Sequence, residues 1–551
     1  MSRLHRLFGP RLLGPVVTLA SGMLLAGIGL RVYWAARYGA VLVGCEYVRI
    51  AENLLNNRAY VGLGEGPELM FPPFFPVLLI VGSFLAGSVE GAARLIPVLA
   101  GGLLVLVVFA LARLVYGLRV ALVAAVLTAL HPVLIDLSSI AEAETVYLPL
   151  VMGGLYWGLR ALDSGRLTHT VWCSALFGLA YLTRPEALLY PCVLLAAMLV
   201  SDWRRPAFLR RLGLQCLCLV APILVLAAPY VTYLWWHTGD LRLEGKAIMN
   251  YTIGERRNAG LGSAEASLGI GSDLSEDGPQ LSPNHFIAAT HRRPPIRDLG
   301  SYWVKSAQRN KATLFRYLGS PAFGSVLAIG LIVLGLFRRP WSPRRAGHEV
   351  VLLGVALGNV FLILGLHAVL FRYVLPLMVL SLLWVSKGID EVAEWSAGTL
   401  RRAVSLGRRP PPWVGMSIRC VLMAALVLLS LRGLRWEQFE DHGPKAVMLK
   451  EVGTWLDQYR PGPKRVMTMY PQVGYYARGV HLLLPYAEAS SLALRYIHLK
   501  HPDFIVLTDE DVSLAPYIKK WLEEGIPDPA AELISIGRAS PAGVAIYEWH
   551  G

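Results

Sequence analysis

The chain has 551 residues, of which 55% are hydrophobic and only 16% are charged, and its mean hydropathy is +0.49. This composition is too apolar for a soluble enzyme of this length, so the bilayer must form part of its solvent. The net charge of +14 does not require a nucleic-acid partner, because multi-spanning proteins concentrate Arg and Lys in the loops that stay in the cytoplasm.

Apolar stretches of roughly 17 to 25 residues, the length that crosses a bilayer, predict about eleven transmembrane helices. These predicted spans cover residues 12–33, 93–115, 119–138, 145–161, 168–184, 186–201, 212–236, 319–337, 349–370, 373–388 and 414–433. A further apolar segment, 71–86, is short and has three prolines near its start. We interpret it as interfacial or re-entrant.

Arginines recur in every second loop between the predicted spans. The loops concerned contain Arg113 and Arg119, then Arg160 and Arg166, then Arg204, Arg205, Arg210 and Arg211, then Arg338, Arg339, Arg344 and Arg345, then Arg401, Arg402, Arg408 and Arg409. The positive-inside rule places these loops and the N-terminus in the cytoplasm. An odd number of spans then puts the C-terminal tail outside, and the charge pattern leaves little need for a nucleic-acid partner.

Three exterior regions are long enough to do chemistry: a loop at about 35–91, a loop at about 237–317, and the tail. We divide the chain into a transmembrane module, 1–433, and a soluble exterior domain, 434–551. In the tail, predicted helices alternate with predicted strands, which favours a small α/β sheet covered by helices over a bundle. The helices are expected at 445–459, 490–500 and 515–524, and the strands at 465–469, 504–508 and 544–549. The predicted fold class is therefore a mostly α polytopic membrane protein with a small α/β domain.

Acidic side chains mark two places at the exterior membrane boundary. Glu46 begins an amphipathic pattern at 44–55, where a carboxylate can take a proton from a hydroxyl or hold a divalent cation. Glu142 and Glu144 lie between the third and fourth predicted spans, on the same side as Glu46. Acids so close to hydrocarbon usually have a partner or a function. The structural alternatives are that Glu46 is a charge at a helix start and that the other two mark the interface.

Cations occur on the same exterior side and suit a phosphate group. Arg184 and Arg372, the latter followed by Tyr373, can each donate two hydrogen bonds to a phosphodiester. Lys246 and Arg256 in the large loop offer a second set. The alternatives are interfacial anchoring, pairing of Arg184 with Glu186, and simple solubility of the loop.

Other catalytic motifs are missing from the sequence. It contains no Gly-x-x-x-x-Gly-Lys, no His-Glu-x-x-His and no Gly-x-Ser-x-Gly, and its six cysteines show no zinc-binding spacing. An ATP-driven transporter and a serine hydrolase are thereby disfavoured.

The order of these motifs resembles the bacterial GT-C membrane glycosyltransferases. That superfamily includes protein O-mannosyltransferases, lipid A aminoarabinose transferases and lipopolysaccharide galacturonic acid transferases. The resemblance covers roughly residues 10–390 and rests on several segments in order: 46–55, 71–76, 131–145, 182–186 and 372–373.

The resemblance implies transfer of a hexosyl or pentosyl group from a polyprenyl-phosphate donor to a lipid, glycan or protein acceptor. Glu46 would be the catalytic base or a metal ligand, and Glu144 the second acid, with Glu142 as its substitute. Many relatives have two adjacent acids in the first loop, whereas Cys45 precedes Glu46 here. The use of a metal is therefore open: no cofactor is firmly implied, and a divalent cation, if used, would bind Glu46 and Glu144. The expected donor-phosphate ligands are Arg184, Lys246, Arg256, Arg372 and Tyr373.

Two other functions compete with the transferase. A transporter or flippase of a lipid-linked glycan would also need many spans, but should show repeated halves and ionisable groups near the bilayer midplane. A receptor whose tail binds a partner would leave the paired exterior acids unexplained. We therefore favour a multi-pass enzyme of the inner (plasma) membrane in a bacterial cell envelope, acting on the non-cytoplasmic face.

Overall fold

The computed structural model describes residues 10–38, 44–202, 208–271, 278–291, 296–323, 325–338, 341–403, 412–432, 444–537 and 543–551. Everything described before residue 433 is built from helices and their connections. In bilayer hydrocarbon every backbone N–H and C=O must be satisfied within the protein, which the α-helix achieves inside one segment.

The helices of this region are numbered in chain order. They are α1 (Pro10–Tyr38), α2 (Cys45–Asn57), α3 (Phe74–Ala86), α4 (Val89–Tyr116), α5 (Leu118–Leu130), α6 (Pro132–Leu137), α7 (Glu144–Ser164), α8 (Leu167–Tyr181), α9 (Leu189–Asp202), α10 (Phe208–Thr238), α11 (Lys246–Asn258), α12 (Ser263–Leu268), α13 (Pro283–Ala289), α14 (Ile296–Leu318), α15 (Ser325–Phe337), α16 (Pro343–Gly365), α17 (Phe371–Ala403) and α18 (Pro412–Leu431). Short 3-10 turns at Pro185–Leu188 and Pro321–Phe323 precede α9 and α15.

Each predicted span coincides with a helix or with a helix broken once. Within the described ranges, five helices are long and apolar enough to cross a membrane, and a pair bent by 56° would make a sixth. The five are Val89–Tyr116, Leu209–Thr238, Pro343–Gly365, Phe371–Thr399 and Trp413–Leu431, and the bent pair is Asp298–Leu318 with Pro321–Phe337. The count of eleven is thus not confirmed, although the chain is a multi-pass membrane protein.

The third predicted span, 119–138, is two helices, α5 and α6. The break falls at His131, whose backbone is extended (φ −66°, ψ 119°), directly before Pro132. Proline has no N–H for the helical ladder and disfavours helical geometry in the residue before it. After α6 the chain runs through Glu142 to the start of α7.

The tail contains a five-stranded mixed sheet in the order β2-β1-β3-β5-β4. β1 is parallel to β2 and β3, whereas β5 is antiparallel to both β3 and β4. All five residues of β3 are buried, as expected for a central strand covered on both faces. The elements are α19 (Pro444–Tyr459), β1 (Arg465–Met467), α20 (Pro471–Tyr476), β2 (Val480–Leu482), α21 (Ser490–Lys500), β3 (Phe504–Thr508), α22 (Pro516–Glu524), β4 (Ala531–Gly537) and β5 (Val544–Trp549).

The α/β character of the tail is confirmed, but α20, β2 and β4 were not predicted. The tail packs on the exterior loops: the Arg49 guanidinium donates to the Tyr475 carbonyl at 2.9 Å, and the Tyr475 hydroxyl donates to Glu52 at 2.8 Å. The His481 amide donates to the Leu63 carbonyl at 2.9 Å. The proposed boundary between residues 433 and 434 lies outside the described residues, so the division into two domains stays a prediction.

Candidate active site

Helix α2 presents Glu46 to the loop that precedes α7. Gly44, immediately before α2, has a positive φ of 83°, and a Cβ there would overlap the Ala141 carbonyl oxygen. Glycine is the residue that accepts this backbone geometry and this close approach without strain. The local sequence therefore lets the first exterior loop pack on the loop containing Glu142.

A cavity of about 690 Å³ opens at this junction. Residues from five parts of the chain line it, including Glu46 from α2, Glu142, Lys246 from α11, and Arg372 with Tyr373 from α17. The tail adds His481 and Lys500. The cavity thus gathers the first loop, the large loop, the start of α17 and the tail around one space.

Two carboxyls of this larger cavity, those of Glu46 and Glu142, bind protons more readily than usual. Burial raises the pKa of Glu46, and the positive charges of Lys246 and Arg372 only partly oppose that effect. Burial, together with the negative charge of Glu144, raises the pKa of Glu142 to about 7. A carboxylate with a raised pKa is a stronger base, so either group is suited to accept a proton from a hydroxyl.

A second cavity, of about 430 Å³, adjoins the first and shares Tyr47, Lys246, Arg372 and Tyr373 with it. Glu144, Arg184, Glu186 and Glu244 line it in addition. The shared side chains form the wall between the two spaces. A ligand with an anionic group at this wall would lie against both.

Arg184 organises the smaller cavity. Its guanidinium pairs with Glu144 and also with Glu186, at 3.1 Å, and lies 5.0 Å from the centre of the Tyr373 ring. Only 4% of the Glu144 side chain is exposed. Because a buried carboxylate needs a cation, Glu144 is an anchor for Arg184 as well as a candidate acid.

Arg372 bridges the two groups of acids. Its nitrogens lie 3.9 Å from a Glu142 oxygen and 3.8 Å from a Glu144 oxygen. These are ion-pair distances but too long for hydrogen bonds. The side chain is 43% exposed, so its N–H groups remain able to donate to an anion in the cavity.

Lys246 is held over an aromatic ring. Its ammonium lies 4.1 Å from the centre of the Phe71 ring, and burial, aided by Arg372 and Arg184, lowers the pKa of Lys246 to about 8. The loop carrying Phe71 is fixed by Glu68, which accepts from the Met70 and Phe71 amides at 2.7 and 3.1 Å. Segment 71–76 therefore has a structural role, because its first residue supports the cation.

Seven of the eight predicted site residues meet around the two cavities. They are Glu46, Glu142, Glu144, Arg184, Lys246, Arg372 and Tyr373. Arg256 lies in the last turn of α11 and is not among the described residues that line either cavity. What each side chain does stays a prediction.

Several polar residues of the site received no role from the sequence, among them Glu68, Glu244 and His367. Glu186, expected only as an alternative partner of Arg184, pairs with it at 3.1 Å. Burial and the nearby Arg257 lower the pKa of His367 to about 4. Burial and the charge of Glu186 raise the pKa of Glu244 to about 7. The sequence signal that could have identified Glu68 is a carboxylate between two apolar residues, Pro67 and Leu69.

The expected cation ligands do not form a metal site in this arrangement. Within the described ranges there is no group of three or more His, Cys, Asp or Glu side chains placed to hold a metal ion. Glu144 is already paired with Arg184, and Arg372 lies near it. We therefore derive no step through a divalent cation.

Comparison of the sequence with family models and with curated proteins gives one match. The model of the dolichyl-phosphate-mannose-protein mannosyltransferase family matches residues 71–235. No curated protein matches the sequence.

Solved structures resemble the chain over most of its length. The oligosaccharyltransferase of Archaeoglobus fulgidus in its apo form has a TM-score of 0.60 and 15% identity, over 90% of this chain and 70% of that one. The same organism's AglB, in complex with an inhibitory peptide and a dolichol-phosphate, has a TM-score of 0.58 and 14% identity over the same shares. ArnT from Cupriavidus metallidurans, bound to undecaprenyl phosphate, has a TM-score of 0.53 and 14% identity, over 96% of this chain and 97% of that one.

Identities this low support the fold and not the activity of each relative. The fold agrees along nearly the whole chain, and the family match falls on the region between Phe71 and Trp235 that carries Glu142, Glu144 and Arg184. The resemblance found in the sequence is confirmed: the chain has the fold of the GT-C superfamily of membrane glycosyltransferases.

Proposed function

We propose that the protein transfers a sugar from a polyprenyl-phosphate donor to an acceptor hydroxyl. One observation carries this proposal: two carboxyls with raised pKa, Glu46 and Glu142, face the same cavity as the cations Lys246 and Arg372. A proton acceptor and an anion-binding group around one space are what glycosyl transfer from a phosphate needs.

The donor phosphate would bind at the wall between the cavities. Arg372 keeps N–H donors because its nearest carboxylate oxygens are 3.8 and 3.9 Å away. Lys246 adds a compact positive charge. The Arg184 guanidinium lies 5.0 Å from the centre of the Tyr373 ring. Two structures with this fold were solved with lipid phosphates, undecaprenyl phosphate in ArnT and dolichol-phosphate in AglB. Their ligands support a lipid phosphate of the same class here.

The reaction would be a single displacement. The acceptor oxygen attacks the anomeric carbon, the bond from that carbon to the phosphate oxygen breaks, and the acceptor proton passes to Glu46. The leaving lipid phosphate keeps the bonding electron pair, and its negative charge is stabilised by Arg372 and Lys246. Attack opposite the leaving group inverts the configuration of the sugar.

The larger cavity would hold the sugar and the acceptor. At about 690 Å³ it lies within the usual range for small-molecule sites, and the tail closes one side of it through His481 and Lys500. We propose that the tail helps to position the acceptor on the non-cytoplasmic side of the inner membrane. The transferred group would be a hexosyl or pentosyl unit.

The test is transfer of radiolabelled sugars from a panel of polyprenyl-phosphate donors to membrane extracts. Wild type is compared with Glu46→Gln and with the control Glu90→Gln. The Glu90 carboxylate pairs with Arg94 at a distance of 2.7 Å and lines neither cavity. Wild type and control should transfer one sugar, and Glu46→Gln should be slower by about 10²- to 10⁴-fold, the usual contribution of a general base.

Two outcomes would contradict the proposal in different ways. Full activity in Glu46→Gln would remove Glu46 from the role of base while leaving the transferase intact. Failure with every donor, combined with movement of labelled lipid across reconstituted vesicles, would favour the flippase.

A further inference from the structure

A third cavity, of about 1060 Å³, lies at the opposite end of α7 from Glu144. The last turns of α4 and α7 and the first turn of α16 surround it. α7 has 21 residues and is therefore about 30 Å long, the thickness of the hydrocarbon core. We infer that the cavity lies at the opposite membrane face from Glu144, away from the proposed transferase site.

Its polar side is cationic. Arg113, Arg160 and Arg344 line it together with one carboxylate, Asp163. Asp163 is already neutralised, because Arg344 lies 2.6 Å from one of its oxygens and His348 Nε2 lies 2.9 Å from the other. The remaining arginines give the space a positive charge.

Arg113 and Arg160 have no carboxylate partner in the part of the chain that the structure describes. Arg160 donates to the Tyr156 hydroxyl at 3.0 Å, and its guanidinium lies 5.6 Å from the centre of the Trp157 ring. These contacts hold the guanidinium in place but do not neutralise its positive charge. Arg113 is exposed on the last turn of α4. Both can therefore donate to an anion.

The remaining walls are apolar. Phe109 and Leu114 of α4 and Leu162 of α7 line the same space. A free phosphate would gain nothing from these side chains, whereas a phospholipid would place its headgroup at the arginines and an acyl chain against them. Basic pockets between helices at a membrane face are the sites where acidic lipid headgroups bind.

We propose that this cavity binds an anionic phospholipid of the leaflet opposite the transferase site, with its phosphate between Arg113 and Arg160. The site is independent of the reaction proposed above. The arginines select an anionic headgroup, and the apolar side chains contact an acyl chain. Phosphatidylglycerol should therefore bind, and zwitterionic phosphatidylcholine should not compete with it.

The experiment counts lipids bound to the detergent-purified full chain by native mass spectrometry during titration with each lipid. Wild type is compared with the double variant Arg113→Gln, Arg160→Gln. The control is Arg119→Gln, an exposed arginine on the neighbouring α5 that pairs with Glu394 at 2.8 Å. Each removed arginine should weaken phosphatidylglycerol binding about fivefold, so the double variant should lose about 25-fold and the control should keep wild-type affinity.

Charge-preserving variants separate binding from misfolding. Arg113→Lys with Arg160→Lys should retain most of the preference for phosphatidylglycerol, since the two positive charges remain. Equal binding of both lipids by wild type, or unchanged affinity in the glutamine double variant, would overturn the proposal. Displacement of phosphatidylglycerol by an equal concentration of inorganic phosphate would overturn the assignment to a lipid.

Discussion

The two exterior cavities share Arg372 and Lys246 but hold their carboxylates in different ways. In the smaller cavity, Glu144 and Glu186 are paired with Arg184. In the larger cavity, Glu46 has no cation within ion-pair distance among the described residues, and Glu142 has only Arg372 at 3.9 Å. We infer from this difference that the carboxylates serve two purposes, according to how close the nearest cation lies.

A carboxylate paired with a buried guanidinium is a poor base, because the cation stabilises its ionised form. A buried carboxyl without such contact has a raised pKa and accepts protons near neutral pH. We therefore propose that proton transfer takes place in the larger cavity, at Glu46 or Glu142, and that Glu144 positions Arg184. Substitutions of residues in each cavity test these proposed roles.

The largest effect is expected from Arg184→Gln. It removes the cation closest to Glu144, which is only 4% exposed and retains Arg372 at 3.8 Å, and it removes the ion-pair partner of Glu186. Breaking a buried pair by removing one partner costs about 3 to 5 kcal/mol. The apparent melting temperature of the purified protein should fall clearly. The double variant Arg184→Gln, Glu144→Gln should recover part of this loss, and a double variant no more stable than Arg184→Gln would show that the pair does not determine stability.

Arg372→Gln should act on the donor more than on the fold. The side chain is 43% exposed and makes only long ion pairs, so its loss should cost little stability. Loss of a charge-assisted hydrogen bond to phosphate, worth about 1.5 to 3 kcal/mol, should raise the KM for the lipid donor by about 10- to 100-fold. Arg372→Lys should recover part of the affinity. An unchanged KM in the glutamine variant would place the phosphate elsewhere.

The sequence located the long apolar helices because spans in a bilayer must be long and apolar, although the predicted number of spans is not confirmed. It was insufficient for the break in 119–138, although His131 and Pro132 carried the signal, since proline is also tolerated inside membrane helices. β2, with three residues, was too short to show a pattern. β4 became a strand through its pairing with β5, which is a long-range contact.

The candidate site was predictable as a set of residues but not as a network of contacts. The predicted topology put Glu46 and Glu142 on one membrane face, and both residues line the larger cavity. Pairing of Glu144 with Arg184, 40 residues away, depends on where α7 and the end of α8 meet, which no local pattern contains. Arg256 shows the converse: it is a cation in the expected loop, in the last turn of α11, but it is not among the described residues that line either cavity.

The proton affinity of Glu142 can be isolated by stability measurements across pH. Its pKa is about 7 in the folded protein and about 4.5 when unperturbed, so between these values the folded state holds a proton that the unfolded state releases. Stability from this group is then lost as the pH rises from 4.5 to 7. Wild type should lose roughly 2–4 °C of apparent melting temperature relative to Glu142→Gln over this interval, and no more above it.

The same titration with Glu90→Gln gives the control, because Glu90 is half-exposed and pairs with Arg94 outside the cavities. Its melting temperature should follow wild type at every pH. If the melting temperature of Glu142→Gln also follows that of wild type at every pH, the pKa of Glu142 is not raised in the folded protein. The proposed difference between the two cavities would then be wrong.

The smallest effect is expected at the contact between the tail and the first loop. Tyr475→Phe removes the hydroxyl that donates to Glu52 at 2.8 Å but keeps the Arg49 bond to the backbone carbonyl of residue 475. If this contact restrains the opening of α2, its loss should lower the free energy of opening by about 1 kcal/mol. Hydrogen exchange of the α2 amides should then be about fivefold faster. Tyr459→Phe removes a bond of 3.0 Å to Glu548 within the tail and should leave α2 unchanged. Since Glu46 is in α2, faster exchange in Tyr475→Phe with slower sugar transfer would show that the tail holds the base in place. Faster exchange with unaltered transfer would confine the tail to acceptor positioning.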